Sequence, residues 1–179
     1  MLYKFEVNIG QVILDDLKTR IKNTRWPDEI EGSKWTYGAD LSYMKELADY
    51  WLNEYNWRIT EHEINKYDNF IAEIDGYKIH FIHVKGKGEK SLPVIITHGW
   101  PSSFLEMLKL IPLLTGKDNS FDLVIPSMMG FGFSQKIHPP GCNIFFMADL
   151  WVKMMKELGY GNLVFREEIS EPVCPLQYH

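Results

Sequence analysis

Near residue 69 the hydrophobic period of this chain changes from 3.6 residues to 2, and no other feature constrains its fold as much. Upstream, Val12, Ile13, Leu17 and Ile21 recur at helical spacing among Asp15, Asp16, Lys18, Arg20 and Lys22. The spacing predicts a helix over residues 10–23 with one buried stripe. Trp26-Pro27 stops it, because proline has no N–H and disfavours helical backbone at the residue before it. Residues 28–39 are turn-rich yet hold Trp35 and Tyr37, which predicts an extended segment against another surface rather than a free linker. Asp40 is a candidate N-cap for the most regular helix, with Leu41, Met44, Leu47, Ala48, Trp51, Leu52 and Tyr55 on one face. Thr60 and Glu63 fit a capping box that would start a third, shorter helix. Residues 1–68 are therefore expected to be helical and aromatic, with no catalytic spacing of their own.

Downstream, residues 70–74 and 77–84 flank Asp75-Gly76, a strong hairpin signal. Residues 93–97 are a short apolar run, as expected of a strand buried on both faces. A helix is expected from about Ser103, with Glu106 in capping position and Phe104, Leu108 and Ile111 in register, ending near Pro112. Residues 121–126 are another short strand. Asn143 caps a helix through Met147, Leu150, Met154 and Leu158, which Gly159 stops. Leu163-Val164-Phe165 begins a further strand. Strands alternating with helices behind an initial hairpin predict the α/β class, with a mostly parallel sheet and helices on both faces.

Composition narrows the functional classes. With 45% hydrophobic and 14% aromatic residues, the chain can bury a core and does not fit a disordered composition. The net charge of −5 is spread over both halves without a basic stripe, which argues against nucleic acid or an anionic membrane as partner. Cys142 and Cys174 are too few for a disulfide scaffold or a cysteine-rich zinc module, so ordinary thiols in a reducing compartment are expected. No apolar run approaches the roughly 18 residues of a membrane span, and residues 1–6 lack the order of a signal peptide. The chain reads as soluble and cytoplasmic. His80 and His83 stand three apart on a predicted strand and so face opposite ways, while His62 lacks the second His of H-E-x-x-H. Neither supplies a metal site, and no cofactor is expected. Residues 86–90 lack P-loop spacing and read as a surface loop.

His98-Gly99-Trp100-Pro101, directly after a buried strand and before a helix, is the most specific local signal. Ligands of open α/β sheets bind at the carboxyl ends of strands, where backbone N–H groups can stabilise developing negative charge. Gly99 lets the backbone approach closely, and Pro101 fixes the turn, with a cis bond before it as one option. On these residues alone, an anion-cradling bend and a plain strand-to-helix turn with a structural His stand side by side. Gly130-Phe131-Gly132 reads more readily as a tight turn after a strand than as a phosphate loop.

Six collinear blocks carry a resemblance. They are Asn23-Thr24-Arg25-Trp26-Pro27-Asp28, the segment from Tyr50-Trp51 to Trp57-Arg58, Ile74-Asp75-Gly76, Ile79-His80-Phe81-Ile82-His83, Thr97-His98-Gly99-Trp100-Pro101-Ser102-Ser103 and Gly130-Phe131-Gly132-Phe133-Ser134. From about residue 3 to 160 the chain resembles the epoxide hydrolases of the α/β-hydrolase superfamily, in the branch with microsomal and juvenile-hormone epoxide hydrolases. The resemblance implies a helical meander over 1–68 that wraps the catalytic domain, a partial hydrolase core over 69–165 and a divergent tail over 166–179. It also implies a small hydrophobic epoxide as substrate and a two-step reaction. In the family an Asp after the fifth sheet strand attacks the epoxide carbon, two lid tyrosines protonate the oxygen, and a His-carboxylate pair activates water. The Trp100 N–H would be one oxyanion donor, held by His98, Gly99 and Pro101, with Gly130, Phe131 and Gly132 in a loop beside the pocket.

The chain departs from that pattern where the family places its nucleophile, in a G-G-D-W-G turn. Arg166-Glu167-Glu168-Ile169 stands there instead, and neither Glu has the small flanking residues that a strained elbow requires. Met128 and Met129 precede Gly130 where the family usually has a Pro. The expectation is a hydrolase front half truncated before the elbow, with no catalytic side chain and no activity alone. The alternative is a non-catalytic binding or regulatory partner that offers an unpaired sheet edge to a complete homologue or to its own copy.

Overall fold

The computed structural model describes residues 1–118, 120–137 and 139–161, together with the backbone of 164–167. Leu163, Glu168 and Cys174 of the sequence reading lie outside the described residues. The chain divides into two compact units, residues 8–62 and residues 1–7 with 63–179.

Among the described residues the larger unit has six strands: β1 (Leu2–Phe5), β2 (Asn69–Ile74), β3 (Tyr77–Val84), β4 (Leu92–Thr97), β5 (Phe121–Pro126) and β6 (Val164–Glu167). Their order in the sheet is β1-β2-β3-β5-β4-β6. Asp75 and Gly76 both adopt positive φ, 52° and 82°, which matches the right-handed twist of a two-residue hairpin. The register closes on Ile74 opposite Tyr77.

The expectation of a mostly parallel sheet is corrected for the described strands: β1/β2, β2/β3 and β3/β5 are antiparallel, while β4/β5 and β4/β6 are parallel. A two-residue turn can join only antiparallel strands, and β1 and β5 both pair against that hairpin. Strand β1 itself lies in the stretch expected to be helical. It is only four residues long and pairs Leu2 with Ala72 at the sheet margin, so no period announces it.

Alternation divides the core between two faces. Ala72, Ile74, Ile79, Phe81, Ile95 and Val124 pack against Met147, Leu150, Trp151, Met154 and Met155 of α5 (Ile144–Glu157). Asn143 caps that helix, its Oδ1 accepting the Phe146 N–H at 3.0 Å, and Gly159 at φ 86° ends it. On the opposite face His80 meets Phe104, ring centroids 4.9 Å apart, with Met107 and Ile111 also buried. Helices thus cover both faces, as expected.

The segment after residue 103 differs from expectation. It forms a 3₁₀ helix, Phe104–Lys109, followed by a single turn, α4 (Ile111–Leu114). Pro112 does not end a helix; it sits in the first turn of α4, where a missing N–H costs nothing. At the start of β5, Lys85 Nζ and the Tyr160 hydroxyl each donate to Asp122 Oδ2 at 2.8 Å, which ties the end of α5 to the sheet.

The smaller unit holds α1 (Gln11–Lys22), a 3₁₀ turn (Lys34–Thr36) and α2 (Leu41–Asn53). Asp40 caps α2 as predicted, accepting the Tyr43 N–H at 3.1 Å. Trp35 and Tyr43 contact each other at 5.3 Å between centroids. The predicted capping box at Thr60 is corrected, because α3 begins at Trp57 (Trp57–Asn65) and Thr60 is inside it. Asn56 Oδ1 takes the Arg58 N–H at 3.0 Å, while the Thr60 hydroxyl pairs with Tyr55 at 2.7 Å. Arg58 donates to Ile9 O, Gln11 Oε1 and Glu61 Oε2, and Glu61 Oε1 accepts the Ile9 and Trp57 N–H groups. The Ile9 N–H holds the Glu61 carboxyl below its usual range, against the desolvation that acts the other way.

Candidate functional site

Strand β4 runs buried from Val94 to Thr97 and delivers the chain to His98, itself fully buried. Residues 99–102 then form a β-turn closed by the Ser102 N–H donating to Gly99 O at 2.9 Å, with the Trp100–Pro101 bond cis. The Trp100 side chain stands 73% exposed beside it. His98 reads in one tautomer: its Nε2 accepts the Met128 N–H at 3.2 Å, so Nδ1 carries the proton and donates to Gly99 O at 3.2 Å. Burial pushes the His98 pKa down, against the opposing pull of the Gly99 carbonyl and the Glu106 carboxylate. The ring is therefore neutral.

Two donors thus pin the Gly99 carbonyl. The Gly99–Trp100 peptide is planar and trans, so fixing its C=O aims the Trp100 N–H the opposite way. That N–H has no acceptor among the described residues. Chemically, the bend offers one pre-oriented donor to a negatively charged oxygen.

The neighbouring helix contributes less than its sequence suggests. A six-residue 3₁₀ helix replaces the longer helix expected from Ser103, so no extended macrodipole faces the bend. Ser103 Oγ caps it by accepting the Leu105 N–H at 3.4 Å. Thr97 Oγ1, at the end of β4, is buried with no partner among the described residues.

The structure brings the Gly130-Phe131-Gly132 loop to this bend. Phe131 stands edge-on to the His98 ring at 5.4 Å, and Met128 of the same loop donates to that ring. Gly130 and Gly132 have φ of 86° and 49°, the tight turn expected after a strand. A Cβ on Gly132 would sit 2.5 Å from Ser127 Oγ, so this position requires glycine twice over. Strand β6 extends the predicted start at 164–165 through Arg166 and Glu167, in parallel register with Val94 to Thr97.

Sequence reasoning missed His80, Asn69, Ser127 and Ser134, a fully or nearly fully buried polar cluster one residue before Met128. In the sequence His80 figures as a member of a matching block and as a rejected metal ligand, not as part of this cluster. The signal lay in its position: a histidine at an inward position of an apolar strand must have its ring nitrogens satisfied by specific partners.

Known proteins resemble this chain in sequence and in fold. Residues 2–107 match the family described as Epoxide hydrolase N terminus, and residues 93–165 match the alpha/beta hydrolase fold. The chain is 41% identical over 167 residues to a Stigmatella aurantiaca protein named for the same family, covering 89% of this chain and 38% of that protein. It superposes on the crystal structure of juvenile hormone epoxide hydrolase from the silkworm Bombyx mori with a TM-score of 0.84 and 31% identity, covering 93% of this chain and 46% of that one. The Aspergillus niger epoxide hydrolase structure gives 0.82 and 29% over the same shares. The chain thus spans less than half the length of these relatives. Among the described residues no helix is long and apolar enough to cross a membrane.

Proposed function

Because the chain belongs to the epoxide hydrolase family, we propose that it supplies the anion-stabilising part of a site that converts small hydrophobic epoxides to vicinal diols. One observation carries this reading: the Gly99–Trp100 peptide has two donors on its carbonyl and an N–H with no acceptor among the described residues. In the family's second step, water attacks the ester carbon and negative charge develops on the ester oxygen. The Trp100 N–H donates to that oxygen, and its dipole needs no reorganisation at the moment of reaction. His98 acts through Gly99, while Gly130, Phe131 and Gly132 shape the adjoining wall. Within residues 1–179 there is no Asp or Ser in an elbow of small residues, so this polypeptide by itself leaves epoxide unconverted.

The test joins residues 1–161 to the remaining segment of the Stigmatella aurantiaca relative and measures diol formed from styrene oxide. The chimera is expected to form diol and the 179-residue chain alone to form none. In the chimera, Trp100→Pro removes the N–H and is expected to lower turnover by about 10²-fold, with ester intermediate accumulating. Unchanged turnover in that variant overturns the reading. So does diol from the isolated chain that Glu167→Gln or Glu168→Gln abolishes.

Among the described strands β6 is terminal in the sheet, which favours a second reading, a chain that pairs through this edge with a full-length homologue or with itself. A stoichiometric complex on sizing with the full-length relative supports it. A clean monomer in the presence of that relative and at high concentration refutes it.

A further inference from the structure

We propose that His80 is a positioning residue for the Trp100 amide, acting through an Asn69–His80–Ser127 relay that fixes the Met128 N–H and, from it, the His98 ring. The proposal rests on reading residues 98–101 as an anion cradle. Its geometry is closed at every step. The Asn69 side-chain amide donates to Ile64 O at 3.1 Å and to Tyr67 O at 2.8 Å, so its Oδ1, 3.0 Å from His80 Nε2, can only accept. His80 therefore carries its proton on Nε2. Buried among Phe5, Phe104 and Phe133, with ring centroids at 5.5, 4.9 and 5.2 Å, the imidazole stays neutral. Its Nδ1 is left as an acceptor, and the Ser127 hydroxyl donates to it at 2.9 Å.

The backbone repeats the clamp. The His80 N–H donates to Ser134 Oγ at 2.9 Å, the Ser134 hydroxyl donates to Ser127 O at 2.7 Å, and the Ser127 N–H donates to His80 O at 2.8 Å. Ser127 is thus held at its hydroxyl, carbonyl and N–H at once. The next N–H along the chain, that of Met128, consequently points at His98 Nε2. His98 Nδ1–H then pins Gly99 O, and the peptide plane aims the Trp100 N–H. The Ser127–His80–Asn69 set has the residue types of a nucleophilic triad. Ser127 and His80 are 0% exposed, so no substrate reaches them, and the set positions rather than reacts.

Histidine-ring and amide NMR of the 179-residue chain tests this without relying on turnover. In the unaltered protein, His80 is expected to be protonated on Nε2 alone and His98 on Nδ1 alone. Ser127→Ala, which deletes one hydroxyl and keeps the fold, should convert His98 to a tautomer mixture. It should also speed Met128 amide exchange about tenfold, while the Val124 and Ile125 amides of β5 change far less. Opposite or mixed tautomers in the unaltered protein overturn the relay. So does a His98 ring indifferent to Ser127→Ala, or exchange that rises uniformly along β5, which would mark general loosening. Acetate titration followed at the Trp100 amide tests the cradle separately. A Trp100 amide that ignores acetate defeats the cradle reading, whereas the tautomers decide whether the relay sets this peptide plane.

Discussion

In the sheet unit, the residues whose alternation predicts burial are buried, with Ile79, Phe81, Val124 and Ile125 at 0% exposure. In residues 8–62, α1 and α2 have equally regular apolar faces and not one buried residue. Val12 is 81% exposed and Ile13 61%, while Leu17 and Ile21 are half-buried; Leu47 and Trp51 are each 45% exposed. The expectation of a buried stripe on α1 is corrected accordingly. Periodicity identifies which face of an element is apolar, but it does not supply the surface that covers it. A sheet largely solves this within itself, because strands pair with strands and α5 lies on one face. Two helices and a 3₁₀ turn do not.

The sharpest way to break this comparison is to remove the same kind of side chain from both units. Phe81 lies in the α5-facing core and stacks on Phe70 at 5.5 Å. Phe81→Ala should cost about 3–5 kcal/mol through lost transfer energy and a residual cavity. Val12→Ala on the open α1 face should stay within about 0.5 kcal/mol. Urea unfolding midpoints measure both. Comparable losses would show that Val12 is covered in solution and that the contrast between the units is false.

Acid should act on the sheet unit ahead of the helical one. Burial holds the His80 pKa down at about 3 against an ordinary value of 6.5, and burial lowers His83 and His98 in the same direction. The unfolded chain binds these protons below pH 6.5 while the folded one refuses them. Stability from His80 is therefore fully present above pH 6.5 and is lost as pH falls toward 3. The loss is on the order of 4 kcal/mol by the end of that window. In the helical unit the shifted groups are carboxyls, Asp40 and Glu61, held below their usual range chiefly by Ser42 and the Ile9 N–H. Their contribution is present above the ordinary carboxylate range and fades only as pH falls through and below it. Urea midpoints that stay flat between pH 7.5 and 4.5 would contradict the buried, neutral state of His80.

What the sequence made legible follows from the same physics. The hairpin, both flanking strands, the Asn143 and Asp40 caps and the Gly159 stop were readable because each depends on a local backbone requirement met by one residue type. The H-G-W-P bend was readable for that reason too. Strand β1 and the antiparallel β3/β5 pairing were not, since non-local partners decide them. The 3₁₀ form of Phe104–Lys109 is not legible, because Phe104, Leu108 and Ile111 satisfy an α-helical period equally well. The relay behind the bend draws its members from residues 69, 80, 127 and 134. Only the fold brings these together, and each alone resembles an ordinary strand or loop residue.

The smallest predicted effect concerns the one buried side-chain polar atom that lacks a hydrogen-bond partner among the described residues. Thr97 Oγ1 is buried at the end of β4 with no partner among the described residues, and its backbone faces Glu167 of β6 in register. An unpaired buried hydroxyl costs about 1–3 kcal/mol relative to a paired one, while valine fills nearly the same volume without it. Thr97→Val should therefore stabilise the chain by about 1 kcal/mol, read as a higher urea midpoint, and leave the His98 tautomer unchanged. The same change at an exposed threonine such as Thr19, whose hydroxyl donates to Asp15 O, should bring no gain. A Thr97→Val protein that is less stable would mean that the hydroxyl is engaged in solution. The buried side-chain polar atoms described in the sheet unit would then all be paired, and the contrast with the open helical unit would grow sharper.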